Sequence, residues 1–375
     1  MAPASRVAAR LVDLSHAQLL EIAAAGCEAS AEVKNRADAI LAAHKPLPQW
    51  AVEGVLLSSD LVPHLLAPLQ LADGAAAAVC SRWADGWKAT SEGRRHLTRV
   101  FDFPQDLLGA SKPAHARLSM AVTGGDEQQL VVSAGSTVRI LSRSMSTMNA
   151  FECDGEDNGS IAADEQFVYM NVFGEKRLRR LTHAGSEDAE FRDQDKFIIC
   201  PTLAPGGLLF CVLIEQEDEE QDQIIALDAQ TLQPRYRFGL SLLNDVRGMV
   251  VVGEELFVCD TGNGRIQVFS LDGEHRRSIT GEWKRPIALC FVKDRLYLVE
   301  EADEDEDDNG ELINPLQGRH IFVLSLQGDT LQVYTNPVEG QFFGETLCCF
   351  DGRLLAPVRS GNSSSFNDMV ALCGV

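Results

Sequence analysis

The sequence predicts a mixed fold, in which a small all-α region is followed by an all-β propeller of six blades. One observation is a short, apolar, strand-like run that recurs about every forty residues from residue 130 onward. A second is that a turn and another apolar run follow each of these runs. The third is that the first 96 residues are rich in Ala and Leu at helical spacing. Four short strands per period are typical of propeller blades, which bury their faces against their neighbours.

The repeating unit is clearest in the stretch LFVCDTGNGRIQVFSLDG, residues 256–273. Two apolar runs flank a turn in which Gly262 and Gly264 can adopt the positive φ that a tight connection needs. The second strands of the six blades are predicted at residues 130–133, 167–170, 208–211, 256–259, 296–299 and 354–357. The third strands are predicted at residues 138–142, 177–182, 224–228, 266–270, 321–325 and 369–373. A small apolar strand precedes each pair and is clearest at 248–252 and 287–292.

The sixth unit is predicted to lack an outer strand of its own, because its third strand lies only a few residues before Val375. Residues 97–103, LTRVFDF, alternate apolar and polar side chains and lie before the first blade. We expect this segment to supply the outer strand of blade six. Pairing the two ends of the propeller in one sheet removes the exposed edges that an open ring would carry.

Length and composition favour an intracellular protein of more than one domain. A chain of 375 residues exceeds what one small core usually serves. No apolar run approaches 18 residues, and the first residues lack the apolar stretch of a signal peptide, so we expect neither a membrane span nor secretion. The ten cysteines form no CxxC pair, and Cys211, Cys259, Cys290 and Cys373 fall in apolar runs. They are expected to be reduced thiols of a cytoplasmic or nuclear protein.

The negative charge is concentrated in the propeller. The net charge is −22, and residues 97–375 hold 45 Asp and Glu against 24 Lys and Arg. Two inserts, residues 215–222 and 300–311, supply fifteen of those carboxylates. A field of this sign repels phosphate backbones, so nucleic acid is not an expected partner.

The stretch of residues 256–273 also resembles an NHL repeat. The resemblance rests on Asp260-Thr261-Gly262-Asn263 after an apolar strand, a basic residue at Arg265, then a second strand and an Asp-Gly turn. The match holds in one blade only, and the other five keep the spacing without the motif. It therefore implies the propeller fold, and we expect Asp260 and Arg265 to brace the hairpin turn.

The N-terminal region divides into two predicted helical parts. Residues 1–54 are predicted to form a helical hairpin. Its first helix begins near Ser15 and stops at Gly26, and its second ends at Lys45, before Pro46. Residues 55–96 form a second module, and the propeller occupies residues 97–375.

Residues 56–87 resemble an F-box, a three-helix module that docks on a Skp-type adaptor. A leucine-rich first helix is followed by Asp73 and by a closing Val-Cys-x-x-Trp. The resemblance implies an adaptor-binding set of Leu57, Leu61, Leu65, Leu66, Leu69, Val79, Cys80 and Trp83. Ser58 stands where the family usually has Pro, and Pro68 shortens the first helix. In the second helix, the run GAAAA replaces bulkier apolar residues. A purely local helical core is the alternative interpretation of these residues.

An F-box followed by a propeller implies a substrate-recruiting subunit of a cullin-RING ubiquitin ligase. Such a subunit has no catalytic site and no cofactor of its own. The propeller would hold a target protein, with a Lys- or Arg-rich segment favoured by the acidic inserts. The target-binding candidates are charged residues at the starts of inner strands and in the inserts: Arg247, Arg285, Glu345, Glu217, Glu219, Glu220, Asp303, Asp305 and Asp307.

Two other functions stay open from the sequence. In a metal-dependent propeller hydrolase or lactonase, Asn244 and Asp245 would supply oxygen ligands, although the other blades offer no matching set. A protein-interaction scaffold without a ubiquitin role is the other. The second insert also has part of the spacing of a calcium-binding EF-hand loop, but Leu316 replaces the required Glu, and a solvated insert is favoured.

Overall fold

The computed structural model describes the propeller and a small part of the N-terminal region. The described residues are Val62, 81–89, 97–102, 118–125, 127–153, 158–172, 174–215, 222–303, 314–360 and 368–373. The first helix described is α1 (Ser81–Ala89). The predicted hairpin of residues 1–54 and most of the F-box-like module lie outside the described residues. None of the described helices has the length and apolar character needed to span a membrane.

Six antiparallel sheets follow one another along the chain. Blades one and two are β2 (Leu118–Val122), β3 (Leu130–Ala134), β4 (Thr137–Leu141), β5 (Thr147–Glu152), then β6 (Asn158–Ala163), β7 (Phe167–Val172), β8 (Arg177–Thr182), β9 (Glu187–Arg192). Blades three and four are β10 (Phe197–Ala204), β11 (Leu208–Ile214), β12 (Asp222–Asp228), β13 (Pro234–Leu243), then β14 (Val246–Val252), β15 (Glu255–Asp260), β16 (Arg265–Ser270), β17 (His275–Ile279). Blade five is β18 (Pro286–Val292), β19 (Arg295–Glu300), β20 (His320–Leu324), β21 (Thr330–Thr335). Blade six contains β1 (Thr98–Asp102), β22 (Gln341–Phe343), β23 (Cys348–Phe350), β24 (Arg353–Ser360) and β25 (Asp368–Cys373).

The predicted second and third strands are confirmed in all six blades, each pair being adjacent in its sheet. The first strand of each blade lies innermost, and these inner strands contact one another in order from β2 through β6, β10, β14 and β18 to β23, which contacts β2 again. The six sheets therefore form a closed ring.

The predicted closure of blade six is also confirmed. Strand β1 pairs antiparallel with β25, with Thr98 opposite Cys373 and Asp102 opposite Val370. The strand order β1-β25-β24 places β1 at the outer edge. The inner position of this blade is shared by two short strands, β22 and β23, which both pair with β24.

The burial of each strand follows its place in the blade. Second strands are buried on both faces because each blade packs between two others; in β15 every residue from Leu256 to Asp260 is buried. This explains why they are continuous apolar runs rather than alternating ones. The outer strands β9 and β21 instead alternate between exposed and half-buried residues. Cys211, Cys259 and Cys290 are buried and free, as predicted.

Candidate functional site

One face of the propeller carries two kinds of connection. Because the strands alternate in direction, the second-to-third connection of each blade and the connection leading to each inner strand emerge on the same side. We call this side the loop face. The two acidic inserts join β11 to β12 and β19 to β20, so both ends of each insert lie on the loop face.

A cavity of about 510 Å³ opens on the loop face, at blades two to five. Apolar and charged side chains share its walls, which come from the ends of β7 and β11 and the starts of β10, β12 and β14. The lining side chains are Asn171, Val172, Glu175, Phe197, Ile198, Ile199, Ile214, Glu215, Asp222, Asp245, Val246, Arg247 and Arg285. The volume lies within the range of small-ligand and side-chain pockets.

In blades four and five, the last residue of the second strand is a buried carboxylate. Asp260, the last residue of β15, is fully buried and accepts hydrogen bonds from the Asn244 N–H at 2.8 Å and the Arg265 Nε at 2.7 Å. Asn263 and Gln267 donate to it as well, which confirms that Asp260 and Arg265 brace the turn. Both carboxylate oxygens of Asp260 are therefore used, one by each pair of donors.

Glu300, the last residue of β19, has the same role in blade five. Its two oxygens accept the backbone N–H groups of Lys284, at 3.1 Å, and Gly318, at 3.3 Å. Burial raises the pKa of this carboxyl. The strand register shows that Asp260 and Glu300 occupy equivalent positions. Asp260 lies opposite Val246 and Glu300 lies opposite Pro286, and these partners are the first residues of their inner strands.

Blades two and three have apolar residues at this register position. Val172 lies opposite Asn158, and Ile214 lies opposite Phe197. Neither side chain can accept a hydrogen bond from the chain that leads to the inner strand. Both line the cavity, which lies where these two blades lack the buried carboxylate.

Asp222 is the buried carboxylate of the cavity wall. It begins β12, is 2 % exposed, and its Oδ2 accepts the Val246 N–H of the next blade at 2.6 Å. Burial raises the pKa of Asp222 to about 6, with a smaller opposing effect from the Val246 hydrogen bond. Asp245 and Asp260 also raise it and Arg247 lowers it. The cavity therefore has one wall group that can change charge near neutral pH.

The two cavity arginines are held by carboxylates. Arg247 Nε donates to Asp245 Oδ1 at 2.5 Å, and Arg285 Nη2 donates to Asp245 Oδ2 at 2.8 Å. Arg285 Nε also donates to Glu301 at 2.5 Å. Glu345 adds a further negative charge near Arg247. The structure thus brings together three residues that were predicted separately to bind a target: Arg247, Arg285 and Glu345.

Cys200 lies beside this network but is not a candidate nucleophile. Its backbone has a φ of 52°, and its Sγ–H donates to the Arg247 carbonyl at 2.9 Å. Burial raises the pKa of the thiol to about 12, with a smaller lowering by Arg247. The thiolate that reacts with electrophiles is therefore scarce at neutral pH.

Several predicted site residues fall outside the described residues. These are Leu57, Leu61, Leu65, Leu66, Leu69, Val79, Cys80, Glu217, Glu219, Glu220, Asp305 and Asp307. Trp83 lies near the start of α1, and Asp303 accepts a hydrogen bond from Asn314. Most of the EF-hand-like spacing is likewise outside, while Leu316 is exposed.

Of the two proposed metal ligands, Asp245 is occupied by protein groups. Both oxygens of Asp245 receive guanidinium hydrogen bonds, and the side-chain amide of Asn244 lies close to Gly262. Within the described ranges, no three His, Cys, Asp or Glu side chains are grouped as a metal ion would require.

Asp222 is not evident as a site residue from the sequence, where it is one of the acids of an insert. The signal was its position at the boundary between the acidic run and the apolar strand 224–228. An acid at such a boundary can lie inside the sheet rather than in the solvated insert.

The fold has a counterpart among solved structures. The structure of a luciferin-regenerating enzyme matches with a TM-score of 0.52 and 12 % sequence identity, over 75 % of this chain and 95 % of that one. The likeness supports the six-bladed propeller fold. No family model and no curated protein matches the sequence.

Proposed function

We propose that the chain is a substrate-recruiting F-box subunit of a cullin-RING ubiquitin ligase, with the propeller holding a target protein on its loop face. The observation that carries the proposal is the combination of the Val-Cys-x-x-Trp sequence with a closed propeller that has a formed cavity on its loop face. In this role the chain binds two proteins, and the chemistry of ubiquitin transfer belongs to other subunits.

Helix α1 supports the F-box interpretation. It begins at Ser81, immediately after Val79 and Cys80, and Trp83 lies in its first turn. A signature that closes a three-helix module needs its Trp on a helix. The sequence further supplies leucines at helical spacing from residue 57 to residue 69.

The acidic loop face supports a basic target. Glu215 and Glu301 are described residues of two strongly acidic inserts, and the propeller is acidic overall. Such a surface attracts a Lys- or Arg-rich segment over a distance that salt shortens.

Affinity purification of the tagged full-length chain, followed by mass spectrometry, tests the proposal. We expect recovery of a Skp-type adaptor and a cullin, and loss of both from the double variant Leu61→Ala, Trp83→Ala. The control is Arg276→Ala, which changes an exposed side chain of β17 and should keep the adaptor. Equal adaptor recovery from a folded double variant would refute the F-box assignment. Recovery of other proteins alone would favour a scaffold without a ubiquitin role.

A metal-dependent hydrolase is the second candidate, since Asp245 of the cavity wall is a possible oxygen ligand. It requires Asp245 to exchange its arginine partners for a metal ion. Elemental analysis of the purified chain, with melting temperatures measured with and without a chelator, separates this candidate from the first. A stoichiometric divalent ion that Asp245→Asn removes would support the hydrolase.

A further inference from the structure

The charges that line the cavity on the loop face are not equally paired among the described residues. Each charged lining residue other than Asp222 has an opposite charge within 4 Å. The pairs are Glu175 with Arg177, Glu215 with Lys196, and Asp245 with both Arg247 and Arg285. Asp222 forms no such pair with any described residue, although it is 2 % exposed. Buried ionised carboxylates are normally paired with a cation, and Asp222 has no such partner among the described residues.

The hydrogen bonding of Asp222 is also incomplete. Oδ2 accepts the Val246 N–H, but no described group donates to Oδ1. The buried carboxylates of blades four and five differ, since both oxygens of Asp260 and both oxygens of Glu300 accept hydrogen bonds. Of these three acids, only Asp222 has a carboxylate oxygen to which no described group donates, and only Asp222 lines the cavity.

The remaining wall suits a long side chain that ends in a cation. Val172, Phe197, Ile199 and Ile214 provide apolar surface against which methylene groups can pack. The guanidinium groups of the cavity do not make it a site for anions, because Asp245 and Glu301 already neutralise them.

We propose that the cavity receives the side chain of an Arg or Lys residue from the target polypeptide, with Asp222 as its counter-ion. The proposal rests on the proposed function only in taking the ligand to be a protein. It adds a specific anchor to the diffuse attraction of the acidic inserts. The cationic group of the Arg or Lys side chain donates to Oδ1 of Asp222, and its methylene groups lie on the apolar wall. The Val246 N–H keeps the carboxylate in place.

A methyl NMR titration of the full-length chain with capped tripeptides tests the anchor. The probes are acetyl-Ala-Arg-Ala-amide, its Lys analogue, and the citrulline peptide, which keeps the shape of Arg without its charge. We expect the Arg or Lys peptide to shift the methyl resonances of Ile199, Ile214 and Val246, and the citrulline peptide to leave them unchanged. Shifts confined to other methyl groups would overturn the proposal.

Two matched variants separate the anchor from general electrostatics. Asp222→Asn and Glu300→Gln each remove one buried negative charge. The Asn keeps a carbonyl acceptor for the Val246 N–H, and the Gln keeps one of the two acceptor oxygens of Glu300. We expect Asp222→Asn to weaken binding of the basic peptide at least about tenfold and Glu300→Gln to change it less than about twofold. Equal effects of the two substitutions would overturn the proposal.

A pH series on the unaltered chain gives a second test, which is needed if Asp222→Asn fails to fold. Among the described residues, Asp245, Asp260 and Arg247 are the charged groups that act on Asp222. Its protonation removes the counter-ion, so binding should weaken as the pH falls through about 6. An affinity that is constant from pH 7.5 to pH 5 would refute the anchor.

Failure of this proposal is distinguishable from failure of the proposed function. If the adaptor is recovered but the basic peptides leave the cavity unchanged, the F-box role stands and the anchor is wrong. If the peptides bind at Asp222 and no adaptor is recovered, the anchor stands on a protein of a different role.

Discussion

Replacing Asp222 by Asn should make the protein more stable at neutral pH than the unaltered chain. The pKa of Asp222 is about 6 in the folded protein, because the side chain is buried, against an ordinary value of 3.8. A raised carboxyl pKa means that the folded state holds the proton more tightly than the unfolded state. The resulting stabilisation is fully present below about pH 3.8 and is lost as the pH rises through about 6.

The size of the effect follows from the two pKa values. A difference of about 2 units corresponds to about 3 kcal/mol of unfolding free energy, and a side chain that is 2 % exposed needs no discount for screening by solvent. Asn cannot ionise and keeps a carbonyl oxygen for the Val246 N–H. The stability of Asp222→Asn relative to the unaltered chain should therefore rise by about 2 kcal/mol from pH 4 to pH 7, because the unfolded carboxyl is already more than half ionised at pH 4.

Urea denaturation of both proteins across this pH range measures the difference. Other titrating groups, including Glu300, are common to both chains and cancel when the two free energies are subtracted. A difference that stays constant within about 1 kcal/mol, or that falls as the pH rises, would show that the carboxyl of Asp222 titrates normally in the fold and would refute the reasoning.

Three further substitutions and one truncation test the ring itself. Asp260→Ala leaves four donors without their buried acceptor and should cost about 3 kcal/mol or more, measured by urea denaturation; a loss below 1 kcal/mol would contradict its bracing role. Gly248→Ala should cost about 2 kcal/mol, because a Cβ there would lie 2.5 Å from a backbone oxygen of β18, whereas Gly253→Ala, with nothing within 4 Å, should cost about 1 kcal/mol from its φ of 60°. A chain that begins at residue 108 lacks β1 and should melt far below one that begins at residue 94, since blade six then has an open edge; equal melting temperatures would contradict the closure.

The sequence was sufficient to predict the blades because their second and third strands are buried on both faces. A strand such as β11 or β15 then appears as a continuous apolar run bounded by turn residues, and six such pairs at a regular spacing indicate the ring. The inner position of blade six is less evident, because Gly344–Leu347 separates β22 from β23 and each piece has only three residues.

The cavity could not be predicted from the sequence, because it depends on register between strands. Inner strands β6, β10, β14 and β18 each contain a register shift near their start. Counting residues therefore does not reveal that Ile214 and Asp260 occupy equivalent places. The sequence analysis found the charged residues of the loop face, but their pairing through Asp245 depends on side-chain geometry.

Asp222 has a structural role in holding β14 and a proposed role as a counter-ion. The two roles favour different hydrogen bonding of the carboxylate, so experiments can tell them apart. If the residue served only to hold β14 through the Val246 N–H, a full set of hydrogen bonds like that of Asp260 would suit the fold better. An ionised carboxylate with a free oxygen beside an apolar wall costs stability, and natural sequences retain such costs mainly where function requires them. Asp222→Asn should therefore gain stability at neutral pH and lose affinity for the basic peptide. A purely structural Asp222 would change stability without any change in peptide binding.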